Sequence, residues 1–275
     1  MSFPGIIRSI LLSFSLMAGF LISPLAQALT QQQADDLLST LHKMSVDSYL
    51  AINAYYSFAN SGGDKSVAQD ANNTINRLDS LLDQLNKAPG ASEVQENLAN
   101  INTQWEQYRK LLIANIQDLI SKGYPDLRLM VDMSQANLDF IAGLSDTAAT
   151  IKKNSDYQPN ELLELVREAT LKIEQIMTAY AARTASNVSQ IAHGAETEEP
   201  LNVLAEQFTQ QLQKLQQKTA GNRDTASVVD DIATKWNFIK GSYINFNENN
   251  VAYIANLYSK RIIEGLQNLE SAAQL

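Results

Sequence analysis

The sequence contains no cysteine, which excludes disulfide bonds, a thiolate metal site, a cysteine nucleophile and a lipid-modified cysteine. Histidine occurs only twice, at His42 and His193, and neither sits in a catalytic-triad or paired-ligand pattern. Glycine-rich phosphate loops are also missing. Glycine and proline are scarce, at 11 and 6 of 275 residues, which favours long helices. We therefore expect an all-α protein without enzymatic activity and without a cofactor.

Positive charge is in deficit as well. The chain has 21 Lys and Arg against 30 Asp and Glu, a net charge of −9 and a pI of about 4.8. Such a surface repels polyanions, so neither nucleic acid nor an anionic membrane surface is expected as a partner. No apolar run of 18 residues occurs after residue 28, so we expect no transmembrane segment in the mature chain.

The amino terminus carries the three parts of a secretory signal. Arg8 supplies positive charge, Ile10–Ile22 form an apolar run, and Ala26-Gln27-Ala28 is a small-x-small cleavage pattern. The apolar run of 13 residues is shorter than the roughly 20 that span a bilayer. We predict a signal peptide over residues 1–28 and export, with the bacterial periplasm as the expected location. An uncleaved membrane anchor is the alternative.

Apolar residues recur every three or four positions along the rest of the chain, as on one face of a helix. Two such runs match each other 131 positions apart and hold the two tryptophans of the sequence: Leu98, Ile101, Trp105, Tyr108 and Leu112, and Val229, Ile232, Trp236, Ile239 and Tyr243. Each tryptophan-containing run belongs to the third helix in a set of four predicted helices that are joined by short connections. The pattern predicts two tandem up-down four-helix bundles, over residues 29–155 and 156–275.

The candidate ligand-binding residues are Tyr180, Arg183, Trp236 and Tyr243. Aromatic residues at helical spacing either form half-buried core or line a ligand pocket. Arg183 follows Tyr180 by one turn, where it could read an anion between helices or pack its stem on the surface.

Two further segments are candidates for recognition or metal binding. Asn245, Asn247 and Asn249 form an amide-rich tip between two helices, which is either a simple turn or a docking tip. His193-Gly-Ala-Glu196 resembles the short histidine–glutamate motif of imelysin-like periplasmic proteins and makes His193 and Glu196 candidate metal ligands. A solvated helix end, where histidine suits the helix dipole, is the alternative.

The layout resembles the extracytoplasmic helical sensor domain of type IV pilus methyl-accepting chemotaxis transducers and nitrate/nitrite sensor kinases. The segments that carry the resemblance are 172–183 (KIEQIMTAYAAR), Trp236 to Leu269 and, more diverged, Trp105 to Leu144. The resemblance implies an arginine that holds a small anion between helices, and here that arginine would be Arg183. It also implies a sensor-like module that acts through a membrane receptor or another envelope protein.

The sequence is compatible with three functions. The chain is expected to be an exported module that binds a small molecule or docks to a receptor, with a link to type IV pilus or chemosensory signalling. The first alternative is a structural or assembly factor of the cell envelope that recognises helices. The second is a periplasmic metal-binding protein centred on His193 and Glu196.

Overall fold

The computed structural model describes residues 29–61, 65–155, 157–186, 199–245 and 252–274. These ranges are helical, and their one β-type pairing is an isolated bridge between Leu29 and Ser155. The prediction of an all-α fold is therefore confirmed. Within the described ranges, no helix combines the length and apolar character needed to cross a bilayer. The predicted signal peptide lies outside the described residues.

Eight α-helices account for most of the described chain. Their bounds are α1 Gln31–Asn60, α2 Lys65–Lys87, α3 Gln95–Lys122, α4 Leu127–Asn154, α5 Glu161–Ser186, α6 Leu201–Thr219, α7 Arg223–Ile244 and α8 Ala252–Ala273. A short 3-10 turn, Ala91–Val94, precedes α3.

Local capping chemistry sets several helix ends. The backbone N–H of Gln33 donates to the Thr30 hydroxyl, and the Thr30 N–H donates back to the Gln33 amide oxygen, a capping box at the start of α1. Asp126 and Asn222 accept backbone hydrogen bonds at the starts of α4 and α7. Gly123 ends α3 with φ +79°, a left-handed conformation that favours glycine.

The helices form two groups of four, and each group surrounds its own hydrophobic core: α1 to α4 in the first and α5 to α8 in the second. Both tryptophans donate their indole N–H to the second helix of their own group. Trp105 donates to Asp79 on α2 over 2.8 Å, and Trp236 donates to the Thr209 hydroxyl on α6 over 3.0 Å. The matching hydrogen bonds are consistent with an internal repeat.

The two groups pack side by side along α1 and α5. Ala181, Ala182 and Ala185 of α5 pack against the core of the first group, and these small side chains allow the two helices to approach closely. Helix α2 packs on α1, and α8 packs on α5, so α2 and α8 flank the seam between α1 and α5. The division of the chain into domains at residues 155 and 156 remains a prediction.

Candidate functional site

A cavity of about 500 Å³, which we call the trough, lies between the two groups of helices. Its size is within the range of roughly 300–1,000 Å³ that is typical of small-molecule sites. The side chains that line it are Leu50, Asn53, Ala54, Ser57 and Asn60 of α1, Asp70, Asn73, Thr74 and Arg77 of α2, Met177, Tyr180, Ala181 and Thr184 of α5, Tyr243 of α7, and Asn256 and Lys260 of α8.

The helical period explains why these residues meet. On α1, α2, α5 and α8 the lining positions are three or four residues apart, so each helix presents a single face to the trough. Most of these positions carry an amide, a hydroxyl, a charge or a methyl group. Side chains of this kind leave the space between the helices open, whereas large apolar residues would close it.

Arg77 is the most firmly held charged group of the trough. Its Nε and Nη2 atoms donate to the two carboxylate oxygens of Asp47 on α1, over 3.1 and 2.9 Å. Nη2 also donates to the Thr74 hydroxyl over 3.2 Å. The hydrogen bonds to Asp47 raise the pKa of Arg77, and all three hydrogen bonds fix its planar guanidinium in one orientation. Arg77 is therefore a preorganised cation on the α2 side of the trough.

Three other lining groups have unused hydrogen-bonding or charge capacity. The side-chain nitrogen of Asn53 is buried and has no hydrogen-bond partner among the described residues. Lys260 and the carboxylate of Asp70 form no ion pair with any residue that the structure describes. A buried donor without a partner costs free energy, so a ligand acceptor placed beside Asn53 would be stabilising.

A buried carboxyl group, Glu174, lies close to the trough on α5. Its side chain is fully buried, and neither carboxyl oxygen has a hydrogen-bond partner in the described part of the chain. Burial, together with the nearby charge of Asp47, raises the pKa of Glu174 to about 8, although Lys260 acts in the opposite direction. Glu174 is therefore largely neutral at pH 7 and leaves the charge of Lys260 available.

Two of the four predicted ligand-binding residues line the trough. Tyr180 and Tyr243 pack edge to face, with ring centroids 5.1 Å apart. Trp236 stacks on Tyr243 at 5.8 Å but is itself buried in the second core against Phe208, and it does not line the trough. The hydroxyls of Tyr243 and Ser259 share a hydrogen bond of 2.7 Å.

The other sequence candidates lie away from the trough or outside the described ranges. Arg183 is exposed on α5, beside the lining residue Thr184 but not part of the lining. Asn245 is exposed at the carboxyl end of α7. The predicted docking residues Asn247 and Asn249 and the predicted metal ligands His193 and Glu196 lie outside the described residues. Among the residues that are described, no group of three or more His, Asp or Glu side chains is placed to hold a metal ion.

Sequence reasoning missed the residues that give the trough its polarity, chiefly Asn53, Arg77 and Lys260. A signal was present on α1, where Asn53, Ser57 and Asn60 follow one another at helical spacing. Polar residues in such a row are usually solvated, and only their packing against a second helix group makes them line a cavity.

Comparison of the chain with protein-family models, with curated proteins and with solved structures gave no match.

Proposed function

We propose that this chain is a non-enzymatic binding module that holds a small organic molecule in the trough between its two groups of helices. The observation that carries the proposal is the trough itself, a cavity of about 500 Å³ lined by two tyrosines, several amides and the fixed guanidinium of Arg77. Cavities that combine apolar walls with a few placed polar groups are the usual form of ligand sites.

The wider role that we propose is that of an exported, sensor-like protein of the periplasm. The support is the pattern of a secretory signal over residues 1–28 and the resemblance to chemosensory domains, with type IV pilus signalling as the nearest connection. Because residues of both helix groups line the trough, a bound ligand would contact both groups and change how firmly they pack on each other. A membrane receptor or envelope protein could respond to that change.

Docking to a helical partner is the second candidate function. It is favoured by large apolar side chains exposed on α7 and α8: Phe238 is 64% exposed and Tyr253 is 78% exposed, while Ile254 is 36% exposed. Exposed apolar residues of this size are common at protein interfaces. An assembly factor of the cell envelope, the alternative given above, would use the same kind of docking.

The first test is a thermal-shift screen of the purified protein against amino acids, short peptides, small anions, polyamines and divalent metals. A ligand at 100 times its dissociation constant adds about 2.7 kcal/mol to the free energy of unfolding. At about 2–4 °C per kcal/mol, that gain raises the midpoint measurably.

A matched pair of variants locates the binding. Ser57→Trp places an indole in the trough from an exposed position and should abolish the shift. Ser271→Trp makes the same change at an exposed position of α8, eleven residues beyond Lys260, and should keep it. A flat panel with an intact circular-dichroism spectrum would overturn the ligand proposal and favour docking. A metal response that survives Ser57→Trp would favour a metal site elsewhere in the chain.

A further inference from the structure

Arg77 of α2 and Lys260 of α8 line the trough from the two helices that flank the seam between α1 and α5. Arg77 bonds to Asp47, and the charges of both Asp47 and Lys260 act on the buried carboxyl of Glu174. Arginine has five N–H donors, and Asp47 and Thr74 use three of them. The two hydrogens on Nη1 have no partner among the described residues. This end of the trough therefore offers donors and positive charge from α2 and α8.

Asp70 brings a negative charge to the other end of the trough. It lies seven residues before Arg77 on the same face of α2, a distance of about 10 Å along the helix axis. Its carboxylate forms no ion pair in the described part of the chain. The trough is therefore polarised along its length, with cations at one end and the carboxylate of Asp70 at the other.

Amide side chains line the space between the charged ends. Asn73 lies between Asp70 and Arg77 on α2, Asn53 brings its unpartnered nitrogen from α1, and Asn256 lies one turn from Lys260 on α8. A carboxamide both donates and accepts hydrogen bonds, as a peptide group does. The polar groups of the trough thus match a ligand with a carboxylate, an ammonium and amide groups between them.

We infer that the trough binds a short peptide of three residues with free termini. The carboxylate lies between Arg77 and Lys260, the ammonium lies at Asp70, and the asparagine side chains pair with the peptide groups. An extended chain spans about 3.3–3.6 Å per residue, so three residues cover the roughly 10 Å between the charged ends. A single amino acid or a dipeptide is too short to reach both ends, and a longer peptide exceeds the distance between them.

This inference rests on the proposed function, because it assigns the class of ligand to the same trough. The probes are tripeptides with free termini, each screened separately by thermal shift against the purified protein. The tripeptide with the largest shift is then titrated by calorimetry in three forms: free, N-acetylated and carboxamide. We expect each cap to weaken binding at least tenfold, because each removes one charge-assisted contact. Capped forms that bind as tightly as the free peptide would overturn the inference.

Two single substitutions test the direction of binding. Lys260→Met should weaken the free peptide about tenfold and leave the affinity of the carboxamide form unchanged. Asp70→Asn should weaken the free peptide similarly and leave the N-acetylated form unchanged. Lys153→Met and Asp83→Asn change exposed charges outside the trough and should have no effect. Equal losses for the free and capped forms would contradict the assignment of the two ends.

The outcome separates this inference from the function on which it rests. If no tripeptide shifts the midpoint while another small molecule does so in a manner abolished by Ser57→Trp, the trough is a ligand site and the peptide inference is wrong. If no compound binds in the trough, both the peptide inference and the proposed ligand-binding function are wrong.

Discussion

Asp47 of α1 accepts two hydrogen bonds from the guanidinium of Arg77 on α2, over 2.9 and 3.1 Å. The carboxylate side chain is 12% exposed, whereas the arginine side chain is 51% exposed. Asp47 therefore belongs to the buried face of α1, and the Arg77 guanidinium that it holds is partly open to solvent. It determines which way the free edge of the guanidinium points.

Asp47→Asn should lower the free energy of unfolding by about 1 kcal/mol. Charge-assisted hydrogen bonds contribute more than this when buried, but the exposure of Arg77 reduces the effect through solvent screening. The measurement is urea unfolding at pH 7. Asp83→Asn is the control, since Asp83 pairs with Lys87 on the exposed surface of α2 and its loss should change stability very little. Equal losses in the two variants would show that the Asp47 pair has no special role.

Glu174→Gln should remove a loss of stability that the wild-type protein suffers as the pH rises. Burial raises the pKa of Glu174 from 4.5 to about 8 in the folded protein. Between these values the unfolded chain releases the proton and the folded chain keeps it, so the contribution of Glu174 to the free energy of unfolding is largest below pH 4.5 and is lost as the pH rises through about 8. The slope approaches about 1.4 kcal/mol per pH unit.

The glutamine side chain introduced by Glu174→Gln cannot ionise, so the variant should be more stable than wild type at pH 8 and similar to it at pH 4.5. Urea unfolding at these two pH values measures the difference. Glu168→Gln changes an exposed carboxylate of the same helix and serves as the control. A wild-type slope that persists in Glu174→Gln would show that another group causes it.

His42→Gln should change the pH dependence of the free energy of unfolding between pH 4 and 6.5, below the range affected most by Glu174. Burial is the main reason why the pKa of His42 is lowered from 6.5 to about 4; Arg167 lowers it further, and Glu270 acts against both. The 3.7 Å contact between His42 and Glu270 is therefore not an ion pair at neutral pH. Between pH 6.5 and 4 the unfolded chain binds a proton that the folded chain does not, so the contribution of His42 to the free energy of unfolding falls as the pH falls.

The variant should lack this acid-side loss and match the wild-type pH dependence above pH 6.5. Unfolding curves at pH 4.5, 5.5 and 7 provide the test. If the two proteins lose stability equally on the acid side, His42 is not buried as a neutral group.

Ligand binding should change the fluorescence of Trp236 and not that of Trp105. Trp236 stacks on Tyr243, which lines the trough, whereas Trp105 packs on Tyr108 and Phe140 in the first core. Titration of Trp105→Phe, which keeps Trp236, should show a change in emission with any ligand found in the thermal-shift screen. Titration of Trp236→Phe should show none. The opposite pattern would place the ligand near the first core.

Helix positions follow from local rules, and the sequence therefore predicts them well. The 3-4 spacing of apolar residues marks the buried face of each helix, which is why Trp105 and Trp236 lie in the cores. Gly123 ends α3 and Asp126 caps the start of α4, and both effects involve only neighbouring residues. The connection between α3 and α4 can therefore also be predicted from the sequence.

The candidate site was only partly predictable. Helical spacing placed Tyr180, Trp236 and Tyr243 on buried faces, but it could not distinguish a residue that lines a cavity from one that fills a core. Tyr180 and Tyr243 line the trough, whereas Trp236 is core. Arg183, expected at the ligand from a family resemblance, lies one position away from the lining face of α5, and a shift of one residue rotates a helical side chain by about 100°.

The sequence by itself determined the all-α class, the buried face of each helix and several of the helix ends, because these depend on interactions within a few residues along the chain. Only the tertiary structure decided that α1 packs along α5, and that packing brings Asp70 and Arg77 into one cavity with Lys260, more than 180 positions away. It also decided that Glu174 is buried and largely neutral at pH 7. The reason is physical: a cavity and a shifted pKa both depend on which surfaces of distant helices exclude water together, and local periodicity carries no information about that.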